Sequence, residues 1–156
     1  MNVSREKLLA EAATTGFNPI ILEKVIHLLH LLERINRHPN LTGKLALKGG
    51  TALNLFYFDL PRLSVDIDLN YIGAVNREDM RAERPTIIET ITAICLQEAL
   101  SVRTTLDGHA GISFHLRYTG RVTDHPGLAW KALNVREFKK CGKQRRKTKM
   151  DEISKT

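Results

Sequence analysis

Leu45-Ala46-Leu47-Lys48-Gly49-Gly50-Thr51, followed at a distance by Val65-Asp66-Ile67-Asp68-Leu69-Asn70-Tyr71, is the stretch that decides the fold. The first segment reads as a short strand running into a glycine turn, and the second as another strand. A short helix over 52–58 and a loop containing Pro61 lie between them. Side chains alternate across a strand, so Asp66 and Asp68 project from one face and Val65, Ile67 and Leu69 from the other. Two like charges on one face repel unless a cation sits between them, and a metal ion is the usual answer. Solvated surface carboxylates are the plain alternative, and the glycine turn ahead of the pair weighs against it. Gly49 and Gly50 let the backbone come close to a ligand. Thr51 is expected to cap the helix that follows, whose free N–H groups attract phosphate.

Working outward towards the N-terminus, Ser4 can cap a short helix that ends near Gly16. Asn18-Pro19 is a good start for a second, with Asn as cap and Pro at the first helical position. Its apolar positions (Ile21, Leu22, Val25, Ile26, Leu28, Leu29, Leu32, Ile35) recur at helical spacing up to His38-Pro39. His27 and His30 lie three apart on it; with no third ligand in view they read as packing or surface groups. Towards the C-terminus, 77–100 reads as helix, with Pro85 dividing it. Ser101–Leu106 and Gly111–Tyr118 read as a hairpin joined at Asp107-Gly108. Residues 127–135 are expected to add one more strand.

Composition sets the outer limits. The 156 residues are 42% apolar and 26% charged, which suits a globular core. The reading is one domain over 1–138, with helices over 4–37 and a catalytic core over 45–120, followed by a basic, disordered tail over 139–156. Of the 24 Lys/Arg and 17 Asp/Glu, eight and two fall in that tail, so most of the +7 net charge is there. The tail suits phosphate neutralisation on RNA, or a plain solvated run; it lacks interleaved aromatics for base stacking. No run approaches the roughly 18 apolar residues of a membrane span. Met1–Lys7 has no secretory layout. Cys95 reads as a core residue and Cys141 as part of the tail, with neither disulfide nor zinc spacing. A cytoplasmic protein without a membrane partner is expected.

Taken together, a glycine turn, a phosphate-accepting helix start, an Arg62/Ser64 loop and an Asp-x-Asp strand suit nucleotidyl transfer. That reaction uses divalent ions about 3.5–4 Å apart on the entering and leaving oxygens. The Cα atoms of Asp66 and Asp68 should stand roughly 6.5–7 Å apart, close enough for both carboxylates to reach one metal cluster. The triphosphate would lie against Gly49, Gly50 and Thr51. Lys48 and Arg62 are either ligand contacts or ordinary surface charge. Ser64 is either a turn hydrogen bond or a phosphate contact. A metal-dependent nuclease would also use an Asp pair, but the Gly-Gly-Thr turn argues against it.

Lys48-Gly49-Gly50-Thr51-Ala52-Leu53 and Leu60-Pro61-Arg62-Leu63-Ser64-Val65-Asp66-Ile67-Asp68-Leu69 resemble the signature of the AbiEii/AbiGii toxin family of nucleotidyltransferases. That family includes the MenT-type toxins and belongs to the DNA polymerase β-like nucleotidyltransferase superfamily. The resemblance covers 45–71 closely and extends over about 15–120. It implies an α/β (α+β) fold, a mixed sheet flanked by helices. It also implies transfer of NMP from NTP with magnesium, or manganese as the alternative ion, onto an RNA, tRNA in some members. The biological role it implies is that of a toxin with a cognate antitoxin. By the same resemblance Gly50 and Thr51 match the phosphate-holding turn, and Asp66 and Asp68 the metal-binding pair. It further implies a later lysine and another carboxylate. At the corresponding place Trp130-Lys131-Ala132-Leu133-Asn134 has no aspartate, and Asp107 and Asp124 are the nearby substitutes. Family chains usually run well past 200 residues, so a C-terminally truncated form is expected. An inactive fragment that binds RNA or an antitoxin is the alternative reading.

Overall fold

The structure, a computed structural model, describes residues 3–56, 63–107, 111–122 and 130–137. Arg62, Asp124 and the 139–156 segment therefore lie outside the described residues. Ser4 Oγ accepts the Lys7 backbone N–H at 3.2 Å and starts α1, Arg5–Thr15, which Gly16 closes in a left-handed conformation. Asn18 Oδ1 accepts the Ile20 N–H at 2.9 Å, and α2 runs Pro19–Arg37. Both helices start and stop where the capping residues place them.

Seven elements follow: β1 (Leu45–Lys48), α3 (Gly49–Phe56), β2 (Ile67–Tyr71), α4 (Arg77–Gln97), β3 (Ser101–Asp107), β4 (Gly111–Arg117) and β5 (Trp130–Glu137). The strands form one sheet in the order β1-β2-β5-β4-β3. The last strand among the described residues thus sits in the middle, parallel to β2 and antiparallel to β4. The fold is mixed α/β with a flanked sheet, as the sequence implies. The core lies on one face of the sheet. Leu28, Leu31 and Ile35 of α2 and Ile87, Ile91 and Ile94 of α4 pack there with Ile67, Leu69, Leu133, Ile112, Phe114 and Leu116. Cys95 is buried in the same cluster. Burial pushes its thiol up to about 12, so it is an inert core group.

Five expectations need correction. Helix α4 is continuous, with Pro85 inside it on the exposed side. Only the carbonyl at Arg81 loses its helical donor there, and the apolar face from Ile87 to Cys95 holds the axis. Helix α3 starts at Gly49 rather than at residue 52, so Thr51 is an interior residue and not a cap. Asp66 precedes β2 rather than standing inside it. Asp107 belongs to β3 and pairs with Gly111, rather than serving as a turn residue with Gly108, which lies outside the described residues. The last strand is described from Trp130 to Glu137 and so runs beyond 135, while 127–129 lie outside the described residues.

The two histidines of α2 have packing partners. The His27 ring lies 4.3 Å from that of Tyr118, and His30 Nδ1 lies 3.0 Å from Glu98. Beside them Glu23 is buried and accepts the Arg121 backbone N–H at 2.8 Å, tying α2 to the chain after β4. At the end of β2, the Tyr71 hydroxyl donates to Glu83 at 2.7 Å, and the Lys44 ammonium reaches the same carboxylate at 3.0 Å. Burial, aided by Glu83, pushes the Tyr71 phenol up to about 12. Its folded value lies above the ordinary 10. The stability it contributes is therefore fully present below pH 10 and is lost as pH rises from 10 to 12. Tyr71→Phe should flatten this alkaline loss in thermal melts taken across pH 9–12. An unchanged pH profile in that variant would show that Tyr71 is not one of the groups responsible.

Candidate active site

The site forms where β1 ends. Lys48, its last residue, is paired across the sheet with Asp68 of β2. At φ 76 Gly49 then turns the chain directly into α3, in a region that L side chains rarely adopt. A Cβ at Gly49 would stand 2.7 Å from Asp68 Oδ2, so the carboxylate lies against bare backbone. A Cβ at Gly50 would stand 3.3 Å from Ser64 Oγ. The two glycines thus admit β2 and the loop before it to close range.

Thr51 locks this approach. Its buried hydroxyl donates to the Asp66 backbone carbonyl, and its Oγ1 lies 2.9 Å from Ser64 Oγ. A hydroxyl has one proton and a carbonyl only accepts, so Ser64 is the donor to Thr51. Asp66 itself is exposed, one residue ahead of β2. Along β2 the burial alternates, with Ile67, Leu69 and Tyr71 buried and Asp68 and Asn70 half-buried. That alternation puts Asp68 on the face away from α2 and α4.

Two residues that the sequence reading did not assign complete the geometry. Asn134, paired with Asp68 across the parallel β2–β5 ladder, donates its Nδ2 to Asp68 Oδ1 at 3.0 Å. Ser113 of β4, fully buried, donates to Asn134 Oδ1 at 2.9 Å. Register extends the row further. Lys48, Asp68, Asn134, Ser113 and Thr105 stand opposite one another over β1, β2, β5, β4 and β3 in turn. Next to it the β4–β5 pairing slips, leaving Ala132 as an extra residue between Leu133 and Lys131. Only Asn134's place in the sequence, where a carboxylate was looked for, gave a sign of this row.

Of the expected site residues, Lys48, Gly49, Gly50, Thr51, Ser64, Asp66 and Asp68 come together, while Arg62 lies outside the described residues. Among the described residues, no group of three His, Cys, Asp or Glu could hold a metal ion. The donors at hand are two carboxylates, with an amide held by one of them. Hard oxygen ligands beside open glycine backbone fit a divalent ion that keeps several waters and shares phosphate oxygens.

These features define a mixed α/β protein with a carboxylate-and-glycine centre on one sheet face. The sequence model of the family described as "Nucleotidyl transferase AbiEii toxin, Type IV TA system" matches residues 30–147, most of the chain, and the chain belongs to that family. It is thus a nucleotidyltransferase-type toxin of a toxin–antitoxin system, a class that implies an NTP, a divalent metal and an antitoxin. No curated protein and no solved structure matches it. Among the described residues no helix is long and apolar enough to cross a membrane.

The Gly49–Asp68 contact has an internal control in Gly43, which has φ +73 but nothing within 4 Å of its would-be Cβ. Gly43→Ala should cost about 1–2 kcal/mol from the left-handed backbone alone. Gly49→Ala should cost more, because it also displaces Asp68. Urea denaturation of both variants measures the difference, and equal costs would mean that Asp68 does not depend on the missing side chain.

Proposed function

We propose that the chain transfers a nucleoside monophosphate from an NTP to an RNA acceptor, with tRNA the acceptor class, as a cytoplasmic toxin. Asp66 and Asp68 hold magnesium, or manganese in its place. Gly49, Gly50 and Thr51 hold the triphosphate. The observation that supports this best is the Asp68 carboxylate lying against the side-chain-free backbone of Gly49, in register with Lys48. When bound, magnesium supplies electrostatic stabilisation of the charge that develops on the phosphate oxygens.

The chain's own residues divide the remaining work. The positions that Cβ atoms at Gly49 and Gly50 would fill are taken by Asp68 Oδ2 and Ser64 Oγ, which brings the carboxylate and the hydroxyl to the start of α3, where backbone N–H groups suit phosphate. The hydroxyls of Thr51 and Ser64 are engaged with each other and with the Asp66 carbonyl. They hold the loop that carries Asp66, and Thr51 meets phosphate through its backbone. Lys48 adds positive charge beside Asp68, a role assigned also to Arg62 from its place in the sequence. Asn134 fixes Asp68 Oδ1, which leaves Oδ2 directed at Gly49.

Incubation of the protein with radiolabelled NTPs, magnesium and total tRNA tests the reading. Transfer of label is expected from the wild type. Asp66→Asn and Asp68→Asn should each lower it about a hundredfold or more, the scale of removing one electrostatic stabiliser from a site. Transfer that survives both substitutions would end this assignment.

The Asn134 amide supports a second reading, an inactive nucleotidyltransferase fold that binds RNA or the antitoxin. A neutral amide next to Asp68 neither accepts a proton as a base nor binds a metal as a carboxylate does. That reading expects no label transfer, and little or no heat when magnesium and an NTP are titrated into the protein. Asn134→Asp should then raise transfer above the wild type. An active wild type that loses transfer on Asn134→Asp would exclude it.

A further inference from the structure

The polar row does not stop at Asn134. On the same sheet face, Ser113 and Thr105 continue it onto β4 and β3, and the alternation along those two strands carries Arg103, His115 and Arg117 on that face as well. These three line an open groove of about 400 Å³ together with Ser101 and Thr105. The Thr105 hydroxyl and His115 Nε2 are 3.0 Å apart, which fixes the ring on the groove floor. Arg103 and Arg117 are exposed, and among the described residues neither has an ion-pair partner. Among the described residues, no acidic side chain lines the groove. Three inter-strand spacings of about 4.8 Å separate Asp68 from Thr105, roughly 14 Å, a span that a few nucleotides cover.

We infer that this outer β3–β4 face is where the phosphate backbone of the acceptor RNA docks, with Arg103 and Arg117 neutralising phosphates and the strand end directed over the same sheet face towards Asp68. The inference rests on the nucleotidyl-transfer reading for the identity of the acceptor. Charge complementarity carries it. Two guanidiniums without an ion-pair partner among the described residues, in a groove with no acidic residue among its described lining, match a polyanion, and their planar forks suit phosphate oxygens. The groove also shares a sheet face with Asp68 by strand register, so a strand bound there lies on the side of the sheet away from α2 and α4.

Fluorescence anisotropy with a labelled single-stranded oligoribonucleotide and with tRNA, at several salt concentrations, tests it on the full chain. The proteins are the wild type, Arg103→Gln/Arg117→Gln and Arg103→Lys/Arg117→Lys. The basic 139–156 segment contributes the same background to all three. Loss of two phosphate contacts should weaken binding on the order of tenfold at 0.1 M salt and lower the log–log salt slope by roughly 1.4, irrespective of RNA sequence. The lysine pair should keep most of both, and melting curves should overlay because both side chains are exposed. Unchanged affinity and slope in the glutamine pair would overturn the inference. So would absence of RNA binding by the wild type, or loss of antitoxin binding with RNA binding intact. NTP binding by calorimetry separates the two claims. Arginine-dependent RNA binding without NTP binding would sink the transfer reading and leave this surface standing.

Discussion

The contact between the Asp68 carboxylate and Gly49 is the constraint on which the rest depends. No L side chain fits between them, and φ 76 at Gly49 asks for glycine independently. Once that contact is made, little freedom remains nearby. β1 must end at Lys48, α3 must begin at once, and the loop bearing Asp66 must pass close enough for Thr51 to bond its carbonyl. A polar strand residue is thus held beside a helix start without any bulky group to do the holding. That leaves the carboxylate supported and still accessible.

The carboxylate also sets the direction of the hydrogen-bond chain behind it. Asp68 only accepts, so Asn134 must present its NH₂ to it. The amide oxygen then faces Ser113, which must donate. The orientation of an otherwise ambiguous amide follows from one charge. Burying Ser113 and Asn134 would be costly if either lacked a partner, and each satisfies the other. The opposite face of the same strands carries Ile67, Leu69, Ile112, Phe114, Leu116 and Leu133 and packs on α2 and α4. The sheet therefore has an apolar face that packs on the helices and a face that carries the polar row, and alternation along each strand keeps them apart.

How much of this the sequence discloses depends on whether the signal is local. Caps are local, so Ser4, Gly16, Asn18 and Pro19 place α1 and α2 correctly. Alternation is local, so β2 and the β3–β4 pair are legible. Thr51 misleads because Ser and Thr serve equally as caps and as staples. The difference lies in Gly49's backbone angle, which composition does not reveal. Pro85 misleads because its cost is a single lost bond on the solvent side, offset by apolar packing on the other. The partners Asn134 and Ser113, and the buried Glu23, are invisible for a different reason. Their contacts join residues 66, 21 and 98 positions apart, and no window along the chain contains both members.

The position of β5 has a consequence for when the molecule comes into being. Among the described residues it is the last strand in sequence and the central one in the sheet. Until it emerges, β1 with β2 and β3 with β4 are two separate antiparallel ribbons, each with a bare edge facing the other. Pairing across 66 residues is slow compared with closing a hairpin, so assembly waits on the longest loop in the sheet. A partly synthesised chain therefore carries the glycine turn and both aspartates but no continuous sheet behind them.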